Sequence, residues 1–414
     1  MSTDRSVSTG PIRPREHNEP ERTDRWETLD LLVVCHKYNT FVKDQTELLA
    51  AAFDSVTVLV RYNPIAEVSE FLPIQWLRPY RKAVRLDLTD VPANVTVEVT
   101  SLLYLPTDRG YEKLGAKHAR AVGEQVERLG IDLDLIHAHF TWTAGYAATQ
   151  LGDERDVPVI LTVHANRDRF LDEFRSGIPG IYETWRSADT VIRVNERDVR
   201  LLERYNENVH AIPNGFSRKR YRLLDREEAR SALEIDPDRA LVFTLGELNS
   251  RKGTRYLIEA IPQVLAEHGD VLCVIGGQGT GIRELERRVR ELGLEDHVEI
   301  LGYVPEERVD LWMNACDVFT LASLAEGNPT VMFEALGCGK PYVGTNVGGV
   351  EEIITSEDYG LLCEPGDPDA LAAILVEGLD REWDTERIAA YAEKFTWERI
   401  TAEIESLYAE ALDE

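Results

Sequence analysis

Short apolar runs alternate with amphipathic stretches along most of the chain, and this alternation predicts parallel β-sheets covered by helices. Two amphipathic stretches in the first half predict helices, at Val42–Phe53 and Tyr111–Leu129. Residues 62–110 carry no regular pattern. Five apolar runs in the same half predict buried strands, near Leu31–Val34, Val56–Arg61, Leu135–His139, Val159–His164 and Val191–Val194.

A second alternating series begins near Ala240, with helices predicted at Thr254–His268 and Ile282–Leu292. Its apolar runs predict strands at Leu241–Leu245, Val271–Ile275, Val298–Leu301, Val318–Ala322 and Tyr342–Thr345. The pattern therefore predicts an α/β protein with two Rossmann-like, doubly wound domains that face a central cleft. We expect a disordered polar tail at 1–27, an N-terminal domain at 28–215, a C-terminal domain at 216–396, and a last amphipathic helix at 397–414 that crosses back to the first domain.

The charge of the chain is strongly negative, with 74 acidic and 46 basic residues and a formal net charge of −28. Such acidity argues against nucleic-acid binding, which needs a basic face, and against electrostatic adhesion to anionic lipid. An acidic surface with few lysines is one adaptation to high salt, so we expect a halophilic cytosol.

The location of the protein follows from what the sequence lacks. There is no apolar run of transmembrane length, and the polar N-terminal segment is unlike a secretory signal. The five cysteines have no metal-type spacing and suit a reducing compartment. We expect a cytoplasmic protein, with peripheral contact at the inner face of the membrane left open.

The most informative segment is Ser323–Pro341, in which a loop carries Glu326 and a predicted helix carries Glu334. Asn328 suits the N-cap and Pro329 the first helical position. A helix N-terminus favours an anion, and carboxylates beside it accept hydrogen bonds from sugar hydroxyls, so the segment suits a nucleotide sugar. Two solvated surface glutamates are the alternative, and spacing alone leaves both readings open.

Two further groups of residues are candidates for chemistry. Arg251 and Lys252 lie in a loop between a strand and a helix, where a cation pair suits a diphosphate; an exposed turn is the alternative. His137, His139 and His164 lie at the ends of predicted strands, where a histidine can transfer a proton or bind a sugar hydroxyl. The alternative is a structural role, which is more common for a histidine at a strand end. No metal site is expected, because acidic pairs such as those at 87–90 and 132–134 arise by chance in so acidic a chain.

Taken together, these motifs resemble glycosyltransferase family 4, whose members are retaining nucleotide-sugar transferases with the GT-B fold. The likeness is strongest from about Leu241 to Leu371. The matching pieces are Gly246 with Lys252-Gly253, Val274-Ile-Gly-Gly, Leu301-Gly-Tyr-Val, Glu326-Gly with Glu334-Ala-Leu-Gly, Gly348-Gly-Val-Glu-Glu-Ile and Gly360-Leu-Leu, together with Asp134-Leu-Ile-His-Ala-His, Thr162-Val-His164 and Ile212-Pro-Asn-Gly in the first half.

The resemblance implies a role for each candidate residue. His164 and Glu326 would be catalytic, near the transferred sugar, and Lys252 would hold the donor diphosphate while Glu334 binds the ribose. The other donor-binding residues would be Gly246, Arg251, Val304, Gly327, Asn328, Pro329 and Thr330. His139, Asn39 and Thr40 are expected on the acceptor side. No metal or other cofactor is implied, and the partners would be a nucleotide sugar and an acceptor glycan, lipid-linked sugar or small metabolite.

Three departures from the family pattern affect this interpretation. Glu247 stands where the family usually has arginine, and we expect Arg251 to replace the missing charge. The Gly-Gly loop after the first strand is replaced by His36-Lys-Tyr-Asn-Thr-Phe-Val, and the aspartate after the histidine motif is displaced to Asp168. A GT-B isomerase or phosphorylase, and a non-catalytic nucleotide-sugar-binding subunit, therefore remain as alternative functions.

Overall fold

The first half of the chain forms a sheet of parallel strands, in a computed structural model that describes residues 26–70, 77, 80–104 and 111–413. The strands are β1 (Trp26–Cys35), β2 (Phe53–Tyr62), β3 (Val95–Ser101), β4 (Leu135–His139), β5 (Val159–Val163), β6 (Thr190–Arg193) and β7 (Val209–Ala211). Their order across the sheet is β3-β2-β1-β4-β5-β6-β7, so the chain reverses its direction of travel between β1 and β4. Ligands of doubly wound sheets bind at such a reversal, beyond the carboxyl ends of the strands.

Helices cover both faces of this sheet because its central strands are apolar on both sides. Leu31 and Val33 of β1 share a buried cluster with the helix Thr40–Leu49, whereas Leu32 and Val34 share another with the helix Leu114–Leu129. The helices of this half are α1 (Thr40–Leu49), α2 (Lys82–Arg85), α3 (Leu114–Leu129), α4 (Tyr146–Arg155), α5 (Arg167–Arg175), α6 (Pro179–Ser187) and α7 (Val199–Leu202).

The second half repeats this arrangement around a sheet of six parallel strands. The strands are β8 (Ala240–Leu245), β9 (Val271–Gly276), β10 (Val298–Gly302), β11 (Val318–Phe319), β12 (Tyr342–Thr345) and β13 (Gly360–Cys363), in the order β10-β9-β8-β11-β12-β13. The helices are α8 (Arg226–Ala232), α9 (Thr254–His268), α10 (Ile282–Leu292), α11 (Glu306–Ala315), α12 (Thr330–Gly337), α13 (Val350–Ile353), α14 (Pro368–Asp380) and α15 (Thr385–Ala392).

The last helix, α16 (Trp397–Asp413), packs on the core of the first sheet although it follows the second in sequence. Its buried residues recur at helical spacing and belong to the same cluster as Trp26 and Phe53 of the first half. The buried residues of α16 in this cluster are Trp397, Ile400, Ile404, Leu407 and Tyr408. Among the helices of the described ranges, none is long and apolar enough to cross a membrane.

Several predicted boundaries differ from the structure. Residues 1–25 of the expected tail lie outside the described residues, whereas Trp26 and Glu27 belong to β1. The helix predicted at Val42–Phe53 ends at Leu49, because Phe53 already begins β2. The irregular stretch 62–110 contains α2 and β3, and β11 is shorter than predicted. The expected N-cap at Asn328 is wrong: α12 begins at Thr330, and Pro329 precedes it without a side-chain cap.

Candidate active site

The carboxylate of Glu326 is bound by the two predicted diphosphate-binding cations. It accepts hydrogen bonds from Lys252 Nζ at 2.6 Å and from Arg251 Nη1 at 3.1 Å. Ser323 Oγ donates a third hydrogen bond at 2.7 Å. Because Glu326 is only 6% exposed, these charge-assisted contacts compensate the loss of water around it. Three residues that the sequence singles out for donor binding are thus in direct contact.

A tight loop after β8 places the two cations. The Asn249 side chain accepts a hydrogen bond from Lys252 N, which stabilises the turn Ser250–Lys252. Gly253 follows with a φ of +60°, and a Cβ there would lie 1.9 Å from the carbonyl oxygen of Ala322. Only glycine fits this approach, so the loop is pressed against the segment after β11 that carries Glu326. A Cβ at Gly246 would lie 3.6 Å from Cε of Lys252, so Gly246 faces the Lys252 side chain.

The loop that carries Glu326 contacts the first half of the chain. Glu326 O accepts a hydrogen bond from Arg167 N, and Gly327 O accepts one from Asn195 Nδ2. A Cβ at Gly327 would lie 3.1 Å from Ala165 O. Asn328 Oδ1 accepts from Asn214 N, which explains why this side chain does not cap α12. Backbone contacts therefore place the two sheets' C-terminal edges against each other at Glu326–Asn328.

Glu334 lies on α12 and faces the cleft between the two halves, not bulk solvent. Thr40, Phe41 and Asp44 line this crevice from the first half. Arg220 lines it from the linker, residues 212–225 between β7 and α8, and Thr330 and Glu306 line it from the second half. Glu334 is half-buried, and its burial raises its pKa to about 8; the Arg220 charge opposes the rise, and the Asp44 and Glu306 charges add to it. Arg220 forms ion pairs with both Asp44 and Glu306.

A row of histidines lies at the carboxyl ends of β4 and β5: His137 and His139 belong to β4, and His164 directly follows β5. His164 Nε2 and His139 Nδ1 are 2.9 Å apart, and the His139 ring stacks on His137 at 4.4 Å. Both ring nitrogens of His137 are used, one by Tyr408 Oη and one by Thr162 Oγ1, so His137 is a structural residue. Burial lowers the pKa of His139 to about 3 and that of His164 well below its usual value. Both imidazoles are therefore neutral at physiological pH and can exchange hydrogen bonds with hydroxyl groups.

The remaining predicted residues lie at different distances from this centre. Thr40 and Thr330 line the Glu334 crevice, and Asn39 Nδ2 donates to Val84 O at 3.1 Å. Pro329 immediately precedes α12. The side chain of Val304 packs in the core of the second half, whereas its neighbour Tyr303 is 65% exposed. Glu247 is exposed. Burial and the Arg85 charge lower the pKa of Lys37, and the Glu247 charge opposes this shift, so Glu247 lies near Lys37 of the first half.

Sequence reasoning missed three arginines, of which Arg220 lines the Glu334 crevice. Arg220 lies in the linker, whereas Arg61 and Arg85 lie in the first half. Arg61 and Arg85 are both less than a tenth exposed. The one available signal was Arg61 itself, a cation at the end of an otherwise apolar strand. Among the residues that the structure describes, no group of three or more His, Cys, Asp or Glu side chains is placed to hold a metal ion.

Two family models match the chain in succession. Residues 39–220 match Glycosyltransferase Family 4, and residues 225–395 match Glycosyl transferases group 1. The D-inositol 3-phosphate glycosyltransferase of Corynebacterium jeikeium is 30% identical over 308 residues, which cover 68% of this chain and 73% of that protein. The glycosyltransferase MJ1607 of Methanocaldococcus jannaschii is 28% identical over 322 residues, 71% of this chain and 81% of that protein.

Solved structures with the same fold cover almost the whole chain. Sucrose-phosphate synthase from Thermosynechococcus elongatus has a TM-score of 0.72 at 21% identity and covers 92% of this chain and 98% of its own. Anabaena Alr3699/HepE in complex with UDP has a TM-score of 0.70 at 21% identity and covers 92% and 100%. The two facing α/β sheets are therefore a GT-B fold, as predicted. With both family models matched in order, the chain belongs to the family 4, group 1 glycosyltransferases and is an enzyme of that class.

Proposed function

We propose that this glycosyltransferase transfers a sugar from a nucleotide sugar to an acceptor hydroxyl with retention of configuration, in the cleft beside Glu326. The observation that supports this most directly is the contact of Lys252 and Arg251 with a single buried carboxylate at the interface of the two sheets. A diphosphate that enters the cleft would bind Lys252 and Arg251 in place of Glu326. Glu326 would then be free to accept hydrogen bonds from the sugar hydroxyls.

The surrounding groups suit the other parts of a nucleotide sugar. The N-terminus of α12 lies directly after the Glu326 loop and favours negative charge. Glu334, one turn into the same helix, faces the cleft and would accept hydrogen bonds from the ribose. His164 is neutral, so its role would be to bind a sugar hydroxyl near the reacting carbon and not to donate a proton as an acid.

The reaction we propose breaks the bond between the anomeric carbon and the diphosphate oxygen and forms a bond to the acceptor oxygen. The acceptor proton passes to the leaving diphosphate, whose negative charge Lys252, Arg251 and the α12 N-terminus stabilise. Because Lys252, Arg251 and the helix N-terminus supply the positive charge that a metal ion would otherwise provide, we expect that the reaction requires no metal. Turnover unchanged after treatment with EDTA would support this, and activity restored only by added Mg²⁺ or Mn²⁺ would contradict it.

A donor panel tests the proposal. UDP-sugars come first, because Anabaena HepE, which shares the fold, forms complexes with UDP and with UDP-glucose; GDP- and ADP-sugars follow. Nucleotide release in the presence of cell extract, absent in Lys252→Ala, is the expected result. NMR of the purified glycoside would establish the anomeric configuration. Nucleotide binding without release across all donors would favour a non-catalytic subunit, and an epimerised donor or a sugar phosphate would favour an isomerase or a phosphorylase.

We also propose that the enzyme works in the cytoplasm of a salt-adapted cell. The net charge of −28 produces self-repulsion that salt screens. The melting temperature should therefore rise between 0.1 M and 2 M KCl. Equal stability at both concentrations would show that the acidic composition has another origin.

A further inference from the structure

We propose that two buried arginines of the first half, Arg61 and Arg85, bind a phosphate group on the acceptor. This inference rests on the proposed function and specifies its acceptor: a small polyhydroxylated molecule that carries a phosphate monoester. Arg61 is the last residue but one of β2, and Arg85 ends α2. Both lie near the carboxyl edge of the first sheet, where ligands of doubly wound domains bind.

Arg61 is held in place by weak partners. It is 8% exposed, and its Nη1 donates to Thr143 Oγ1 at 3.1 Å. Its Cζ lies 6.0 Å from the centre of the Tyr104 ring. A hydroxyl and an aromatic face orient a guanidinium but do not neutralise it.

Arg85 is placed in a similar way. It is 7% exposed, its Nη1 donates to His36 O at 2.6 Å, and its Cζ lies 4.8 Å from the centre of the Tyr80 ring. Its Nε is buried and has no hydrogen-bond partner in the described part of the chain. A buried N–H without a partner is costly, and a phosphate oxygen would satisfy it.

The absence of acid distinguishes these arginines from others in the same protein. Within the described ranges, no carboxylate forms an ion pair with Arg61 or Arg85. By contrast, buried Arg193 pairs with Asp198 at 2.8 Å and buried Arg230 pairs with Asp317 at 2.9 Å. Both arginines bind the same pair of residues, because Arg61 donates to Thr143, Thr143 N donates to His36 Nε2, and Arg85 donates to His36 O. In a chain with 74 acidic residues, two such buried cations that pair with no described acid indicate that a ligand supplies the negative charge.

The electrostatic surroundings of the pair are cationic. Burial and the Arg61 charge lower the pKa of Arg85 to about 10, and burial and the same Arg61 charge lower the pKa of His118 to about 3. Arg85 therefore stays protonated at neutral pH while His118 does not. The anion would meet two guanidinium charges, with Lys37 nearby, since burial and the Arg85 charge lower the pKa of Lys37.

The pair lies one layer of aromatic rings from the reaction centre. His36 accepts a hydrogen bond from Arg85 through its backbone carbonyl. Its ring stacks on the Phe140 ring, with the ring centres 5.2 Å apart and the planes 6° apart. Phe140 in turn lies 5.3 Å from His164, ring centre to ring centre. A compact acceptor with its phosphate at the arginines would therefore present hydroxyl groups toward His164 and the donor sugar. The phosphate takes no part in bond making and serves to position the acceptor.

A matched pair of acceptors tests the proposal: a sugar phosphate, such as glucose 6-phosphate, and the same sugar without phosphate. We expect the acceptor KM, measured by nucleotide release, to be at least 10-fold lower for the phosphorylated sugar than for the plain sugar. Arg61→Gln and Arg85→Gln should each raise the KM for it about 10-fold or more and leave the KM for the plain sugar and the affinity for UDP unchanged. Arg81→Gln removes a nearby arginine that pairs with Glu67 and Glu70 and serves as the control, with no change in either KM.

Three measurements distinguish the possible failures. Equal use of both sugars, with both variants like the wild type, would overturn the phosphate site and leave the transferase intact. No nucleotide release with any acceptor, despite UDP binding, would instead count against the proposed function. Vesicles that contain phosphatidylinositol form a second arm: response to them and not to soluble sugar phosphates would contradict the small acceptor. If a glutamine variant fails to fold by circular dichroism, Arg61→Lys replaces it, and competition by inorganic phosphate against the acceptor gives the second readout.

Discussion

The two halves of the cleft hold their cations in opposite ways. In the second half, Lys252 and Arg251 are already paired with Glu326, so the protein itself provides the counter-charge. In the first half, Arg61 and Arg85 contact only neutral groups among the described residues. A site with an internal counter-ion must release it to bind an anion, whereas a site without one keeps the full attraction. The difference suggests that donor binding is coupled to rearrangement of Glu326 and that acceptor binding is not.

Removal of the internal counter-charge should have the largest effect. Glu326→Gln leaves Lys252 and Arg251 unpaired, so we expect UDP to bind more tightly. The variant should nevertheless turn over at least about 100-fold more slowly, because the carboxylate no longer binds the sugar hydroxyls in the transition state. Calorimetry with UDP and initial rates of nucleotide release measure both changes. Weaker UDP binding in the variant would show that Glu326 does not compete with the diphosphate for the two cations.

Loss of one of the two paired cations should have a smaller effect. Arg251→Ala should weaken UDP binding about 10-fold, the usual value for one charge-assisted hydrogen bond, and leave Lys252 on Glu326. Arg255→Ala is a suitable control, since Arg255 pairs with Glu259 on the exposed side of α9. Unchanged donor affinity and turnover in Arg251→Ala would contradict the idea that this arginine replaces the charge lost at Glu247.

The last effect concerns stability and its dependence on pH at Glu334, and it should leave donor binding by the two cations unchanged. Its pKa in the folded protein, about 8, lies above the ordinary value of 4.5, so folding takes up a proton between these values. The contribution of Glu334 to stability is therefore fully present below pH 4.5 and is lost as the pH rises toward 8. The free energy of unfolding of Glu334→Gln should therefore rise relative to that of the wild type as the pH increases from 5 to 8, by about 1–3 kcal/mol. This is less than the full pKa shift implies, because the residue keeps some solvent contact. A difference independent of pH in denaturant titrations would contradict this.

Local patterns predicted much of the second half because its signals lie close together in sequence. The bounds of α9 and α10 and of β12 match the predictions, since each is a long amphipathic segment or an apolar run between turns. β13 (Gly360–Cys363) was not predicted, although it is no shorter than β12. Asn328 shows the limit of propensity: its side chain suits an N-cap, but Asn214 of the linker binds it instead.

The sequence indicated the donor side of the candidate site but not the acceptor side. Lys252 and Glu326 belong to recognisable strand-to-helix loops, so their proximity could be expected from the parallel sheet. Arg61 and Arg85 come from a strand end and from a region without pattern, and only the order of β1, β2 and β4 brings them to one edge. Their most informative property is that no carboxylate of the described residues pairs with them, and this cannot be seen in a sequence at all.

The position of α16 determines how the protein can be divided in the laboratory. A fragment that ends near the linker would leave Trp26, Phe53 and their neighbours without the apolar cover that Ile404 and Tyr408 provide. It would also remove the hydroxyl that binds His137, two residues from His139 in the histidine row. Anyone who wishes to study the first half alone should therefore fuse residues 397–413 to it through a linker, or co-express them as a separate peptide.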